Sequence, residues 1–393
     1  MSQVTWFESS EVGAPTLSNA QGSLLEVLRA CLVNGFGGKA ITSIAVAAGV
    51  ATVTSAAHGF TGKAGQVVLV AGAPQPLLNG VKQPGNVLTN SFTYAAPGVP
   101  DGTYTGTISV KRAPAGWTEA FTAVDRAVFR SGEPEATGIS LRVLDAAGLN
   151  ARVRAFESMT DIDTGVGMTP TEAQVSGGFW WSKTSTDTTA VRPWAVFADG
   201  RAFYFCVMPA AQPHYTCFFA GDVVSRKPGD AYGFMLTGNH NDQTSASGIP
   251  NGCAGASHKS LTSAVGGYVV RVASAAGAST PALRVGAGQN GDAAWVYAGT
   301  AGYGFGTHPN ASDGALVVGR VLCIEANSYR GELPGLYHPV QVSNTLVHGT
   351  IFPGLVVGAT GRRLCVVAAG VPANNLTRGT ILFDVTGSWR TAQ

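Results

Sequence analysis

The chain reads as a mainly β protein: an N-terminal amphipathic helix, a small β-sandwich or barrel module, and a large multi-stranded domain of β-sandwich type. Three observations predict this. The 52 glycines and 20 prolines in 393 residues cut the chain into short pieces. Between them lie Val/Thr/Ile-rich runs such as Ser43–Val46, Val50–Thr54 and Gln66–Val70, and in the first two apolar residues alternate along the run. Only 12% of residues are charged, too few to keep the whole surface wet by charge alone, so large surfaces are expected to be covered by copies of the chain or by partners.

Residues 1–39 form an N-terminal segment. A polar, turn-rich lead carrying Trp6 and Phe7 is followed by a predicted helix over Asn19–Val33, capped by Ser18 or Asn19 and stopped by Gly35, Gly37 and Gly38. Leu24, Leu25, Val27, Leu28, Cys31 and Leu32 fall on one stripe, so the helix must dock on something. Covering a sheet edge of its own chain is the preferred reading. In the alternative, Leu24, Leu28 and Leu32 make an assembly contact between subunits.

Residues 40–113 read as a separate small β module of six strands, the last over Gly102–Val110, with a two-residue hairpin turn at Ala48-Gly49. Ala113-Pro114-Ala115-Gly116 then acts as a linker. Over residues 114–393, strands recur at short intervals, among them Ala151–Ser158, Trp194–Ala198, Ala202–Met208, Tyr215–Phe219, Leu316–Ile324 and Arg363–Ala368. Asp199-Gly200 is a hairpin signal, and Gly358–Gly361 is another. Residues 237–260 show no period and read as a long loop.

Several function classes are excluded at this level. The 25 Lys and Arg balance 23 Asp and Glu, and no basic run exceeds Lys111-Arg112 or Arg362-Arg363, so no nucleic-acid footprint is expected. Met1–Val12 has neither a basic start nor an apolar core, and no run approaches 18 uncharged apolar residues; neither a secretory leader nor membrane insertion is expected. The six cysteines form no C-x-x-C pair and mostly sit in apolar strand runs as buried thiols. Cys206 and Cys217 are placed to bridge a hairpin, which a reducing cytoplasm would leave reduced.

The catalytic motifs are weak. Gly286-Ala-Gly288-Gln-Asn-Gly291 matches G-x-G-x-x-G but precedes a strand pattern, not a helix. Asp163-Thr164-Gly165 lacks the second triplet that an aspartic-protease dyad requires. Asp161, Asp163 and Glu172 have Val166 where a calcium loop needs glycine. With Glu157, they are the only loose acidic group open to a glycan-cleaving enzyme. No catalytic residue, metal or cofactor is expected. The aromatics are more informative: Trp180 and Trp181 are adjacent on a strand, so one is expected inward and the other outward. An outward tryptophan could stack on a sugar, with Asn239, His240 and Asp242 of the long loop bonding its hydroxyls; core or interface packing is the preferred reading.

The series Val50-Ala-Thr-Val-Thr54, Ala57-His58-Gly59-Phe60, Gln66-Val-Val-Leu-Val70, Leu78-Asn79-Gly80, Phe92-Thr93-Tyr94 and Gly102–Thr107 resembles an FCCH-like β module recurring in structural proteins of tailed bacteriophages and prophages. Gly13-Ala-Pro15, Cys31–Gly37, Ala115-Gly116-Trp117, Arg192-Pro193-Trp194 and Lys227-Pro228-Gly229-Asp230 are similar to the same proteins. The resemblance implies a non-enzymatic tail, baseplate or fibre component, assembled in the bacterial cytoplasm and carried in the virion. Its partners would be copies of itself and other tail proteins. The alternative it leaves is a receptor-binding module for a bacterial surface glycan.

Overall fold

The computed structural model describes residues 3–186, 189–210, 215–240, 267–285, 308–326, 328–341, 346–370 and 378–390. The aromatic strands Trp194–Ala198, Ala202–Val207 and Thr216–Asp222 are buried at every position, which requires cover on both faces. One face, including Val196, Phe203, Phe205 and Phe218, packs on a five-stranded antiparallel sheet. That sheet runs Trp117–Thr122, Arg126–Ser131, Ser140–Leu144, Asn150–Phe156 and Phe179–Ser182 in chain order. The other face, with Phe197, Tyr204, Cys206 and Phe219, packs on the last strands of its own sheet.

That large sheet has thirteen strands, beginning at the edge strand Thr5–Glu8 and ending at Leu364–Gly370. It curls until its ends meet: Phe197 stacks on Phe383 at 4.1 Å between ring centroids, and the Tyr215 N–H donates to the Ala368 carbonyl at 2.9 Å. The result is three β layers. The hairpin expected at Asp199-Gly200 forms, and the Asp199 carboxylate accepts from the N–H groups of Arg201 at 2.8 Å and Ala202 at 2.7 Å.

Residues 36–112 form a small sandwich of two four-stranded sheets around their own core of Ile44, Val46, Val53, Val68, Phe92 and Val110. It has eight strands where the sequence reading gives six, because Gly102–Val110 breaks into Gly102–Tyr104 and Ile108–Arg112, one in each sheet. Gly106, at φ 142°, permits the change of sheet. Phe36–Ile41 adds the remaining strand, and Gly80–Lys82 pairs with Val68–Ala71. The Ala48-Gly49 turn has φ of 49° and 75°, the mirror-image geometry that suits the strand twist.

The helix is shorter than the apolar stripe suggests. It runs Ser23–Leu28 and continues as a wider π-type stretch over Arg29–Asn34. Neither Ser18 nor Asn19 caps it. Gly22 is the cap residue, and the cap acceptor comes from a distant strand end: the Asp145 carboxylate accepts from the N–H groups of Leu24 at 2.7 Å and Leu25 at 3.1 Å. Lys183 donates to the same carboxylate at 2.6 Å, with both side chains fully enclosed. Leu24, Leu28 and Leu32 are fully buried against the five-stranded sheet. The assembly contact is therefore corrected: these leucines are core and present nothing to another subunit. No helix among the described residues is long and apolar enough to cross a membrane.

Candidate binding sites

The strand Phe179–Ser182 separates the two adjacent tryptophans as alternation requires. Trp181 is wholly buried, stacked on Phe218 at 5.5 Å and Phe205 at 5.9 Å, and its indole N–H donates to the Thr237 carbonyl at 2.7 Å. It is a core residue and cannot touch a glycan. Trp180 points outward but is only partly exposed, because the Arg152 guanidinium lies 3.5 Å from its ring centroid. Asn239 pairs its backbone with Trp180 in both directions at 3.0 Å, and its side chain is buried. The His240 ring packs on Phe179 at 5.4 Å and Tyr268 at 6.0 Å, on the side of the strand that Trp180 faces away from. Asp242 lies outside the described residues. The backbone thus brings Trp180, Asn239 and His240 together without turning their side chains onto one open face.

Three of the four loose acidic residues are held in ion pairs. Asp163 binds Arg126 and Arg142, Glu172 binds Arg154, and Glu157 binds Arg271. Hydrogen bonds from Arg126 hold the Asp163 carboxyl below the usual carboxylate range. The Gly177 N–H and Arg154 do the same for Glu172, and the Asp163 N–H for Asp161. A general acid needs the opposite shift. Burial pushes the Cys31, Cys217 and Cys365 thiols well up, away from nucleophilic thiolate. Cys206 and Cys217 are opposite one another across the strand pair, with no disulfide joining them. Among the described residues no three His, Cys, Asp or Glu side chains group to hold a metal ion.

The signature residues of the small sandwich hold loops in place. The buried His58 ring accepts from the Phe60 N–H at 3.0 Å through Nδ1, with Nε2 3.3 Å from the Ser91 carbonyl. Asn79 bonds both the N–H and the carbonyl of Ala73, at 2.8 and 2.9 Å. Gln66 accepts from the N–H groups of Thr61 and Gly62, each at 2.8 Å. These residues carry shape rather than chemistry. His58→Ala is expected to lower stability by about 1–3 kcal/mol, since it orphans a buried N–H and a packed site. Urea denaturation monitored by circular dichroism measures it, and a change within error would remove this role.

One cleft was not visible in the sequence. Two adjoining hollows of about 400 and 600 Å³ share Val224, Ser225 and Arg390. Arg390 clamps the chain end there, donating to the Asp199 carboxylate at 3.0 Å and the Asp222 carbonyl at 2.7 Å. Fully buried Arg330 bonds Asp230 at 2.9 Å and also Glu325. At the mouth, Tyr329 is 42% exposed, and its hydroxyl donates to Glu332 Oε1 at 3.0 Å. Arg320 takes the other Glu332 oxygen, and the exposed Arg226 guanidinium lies 5.9 Å from the Tyr329 ring centroid. Residues this far apart in sequence converge only through sheet pairing, so no spacing could have marked them.

No family model matches this chain, and no curated protein matches it either. Its function is therefore argued from these surfaces.

Proposed function

We propose that the chain is a non-enzymatic structural subunit of a bacteriophage tail, baseplate or fibre, built in the bacterial cytoplasm and carried in the virion. It acts by packing against copies of itself and neighbouring tail proteins. One observation carries most weight: the outward face of the sheet formed by Ser43–Ala47, Val50–Thr54, Ser91–Ala95 and Gly102–Tyr104 bears no charged side chain. Ala45, Ala47, Val50, Thr52, Thr54, Ala95 and Thr103 are all exposed on it. A second copy is the occupant such a face fits best, because placing it against itself sets no like charges opposite one another. The pairing of the acidic group with arginines supports a bracing role over catalysis.

The reading is tested by mass spectrometry and cryo-electron microscopy of purified virions, in which the chain is expected as a stoichiometric component. Thr52→Asp is expected to block incorporation or self-association while leaving the melting temperature nearly unchanged, since the position is solvent-facing. Normal assembly of that variant would remove the face from the account. Absence of the chain from particles would remove the function.

A further inference from the structure

The cleft at Tyr329 has more donors than acceptors. Both Glu332 oxygens are occupied, one by the Tyr329 hydroxyl and one by Arg320. Asp384 is held by Arg362 at 3.2 Å and by the Thr386 N–H at 2.9 Å. Asp222 is held by Arg201 and Thr137, and Asp230 by Arg330 and the Ser225 hydroxyl. Arg226 stands apart: its guanidinium donates to no carboxylate or carbonyl among the described residues, and it lies 5.9 Å from the centroid of the Tyr329 ring. A guanidinium fork beside an exposed phenol ring is built to receive something flat that brings its own acceptors.

We propose that this cleft binds an acidic saccharide, with a sugar carboxylate on Arg226 and the sugar body against Tyr329. The volume of about 400 Å³ matches a small-molecule site and admits one or two sugar rings. Tyrosine suits the task because its ring offers an apolar surface while its hydroxyl stays polar. The Arg320–Glu332 pair fixes that hydroxyl and leaves further guanidinium N–H groups for ring hydroxyls. Arg390 and buried Arg330 hold the walls, so the site is organised before a ligand arrives. This site is independent of the assembly face and of whether the chain resides in a virion.

The experiment is calorimetric titration of the full chain with oligogalacturonate, its methyl ester, and polyglutamate. Saturable binding of oligogalacturonate alone is expected, weakening as salt is raised. Arg226→Ala is expected to weaken it by about ten- to a hundredfold, the worth of one charged hydrogen bond. Because Arg226 is exposed and donates to no carboxylate or carbonyl among the described residues, the variant's melting temperature should lie close to that of the parent chain. Tyr329→Ala should also weaken binding. Equal affinity for the methyl ester would overturn the carboxylate, and equal affinity for polyglutamate would overturn the saccharide. No binding by the parent chain, or full binding by Arg226→Ala, would overturn the site.

Discussion

Trp181→Ala is expected to destabilise the chain by about 3–5 kcal/mol, whereas Trp180→Ala should cost about 1 kcal/mol. The difference arises between neighbours on one strand. Trp181 fills the gap between the five-stranded sheet and the central layer, in contact with Phe203, Phe205 and Phe218. Its removal leaves a cavity that two packed sheets cannot close, and it strips the Thr237 carbonyl of a buried donor. Trp180 loses a guanidinium stacked on its outer face, where water can replace it. Denaturant unfolding of both variants gives the comparison directly. Similar losses in the two would contradict the three-layer arrangement.

Lys183→Met is expected to cost about 3–5 kcal/mol, because it leaves the Asp145 carboxylate buried without its cation. Lys183 is fully satisfied, donating also to the carbonyls of Ala20 at 3.0 Å and Ala146 at 3.1 Å. Burial pushes the Asp145 carboxyl up from its ordinary value, opposed by Lys183 and the two helix N–H groups. Burial already outweighs that opposition, and losing Lys183 raises the carboxyl further. A carboxyl whose folded value lies above its unfolded one, near 3.9, keeps its stabilising share below that unfolded value and loses it as pH rises through the folded one. The deficit of the variant should therefore narrow on acidification from about pH 7 towards pH 4. Adding Asp145→Asn, which keeps an acceptor for the helix and removes the charge, should recover most of the loss. A single-variant loss under about 1 kcal/mol, or a deficit that widens in acid, would refute the linkage.

Both experiments probe the five-stranded sheet and what it packs against. The helix Ser23–Leu28 is too short to be stable alone, and it exists because the five-stranded sheet supplies both its apolar floor and its cap. The sequence reading found the apolar stripe correctly and placed the cap wrongly. A carboxylate 121 positions away is invisible to a search for Ser or Asn beside the stripe. Leu24, Leu28 and Leu32 followed the same course, since periodicity identifies an apolar face without saying what meets it.

The candidate sites divide similarly. Alternation separated Trp180 from Trp181, and the structure assigned the inward place to Trp181. His240 belongs to the aromatic packing around Phe179, and nothing in its loop composition signals that. The cleft at Tyr329 draws on strands and turns from residues 224 to 390, so its residues share no motif.

By itself, the sequence determined the β class, the separate apolar core of the small sandwich, and the hairpins at Ala48-Gly49 and Asp199-Gly200. All of these rest on local facts: side chains alternate along a strand, and particular turns demand particular residues. It took long-range packing to make Trp194–Ala198, Ala202–Val207 and Thr216–Asp222 a middle layer, to bring Asp145 to the cap of a distant helix, and to set Arg226 beside Tyr329. Those outcomes depend on which strands meet across hundreds of residues, and the cover a face receives is a property of that meeting rather than of its own residues.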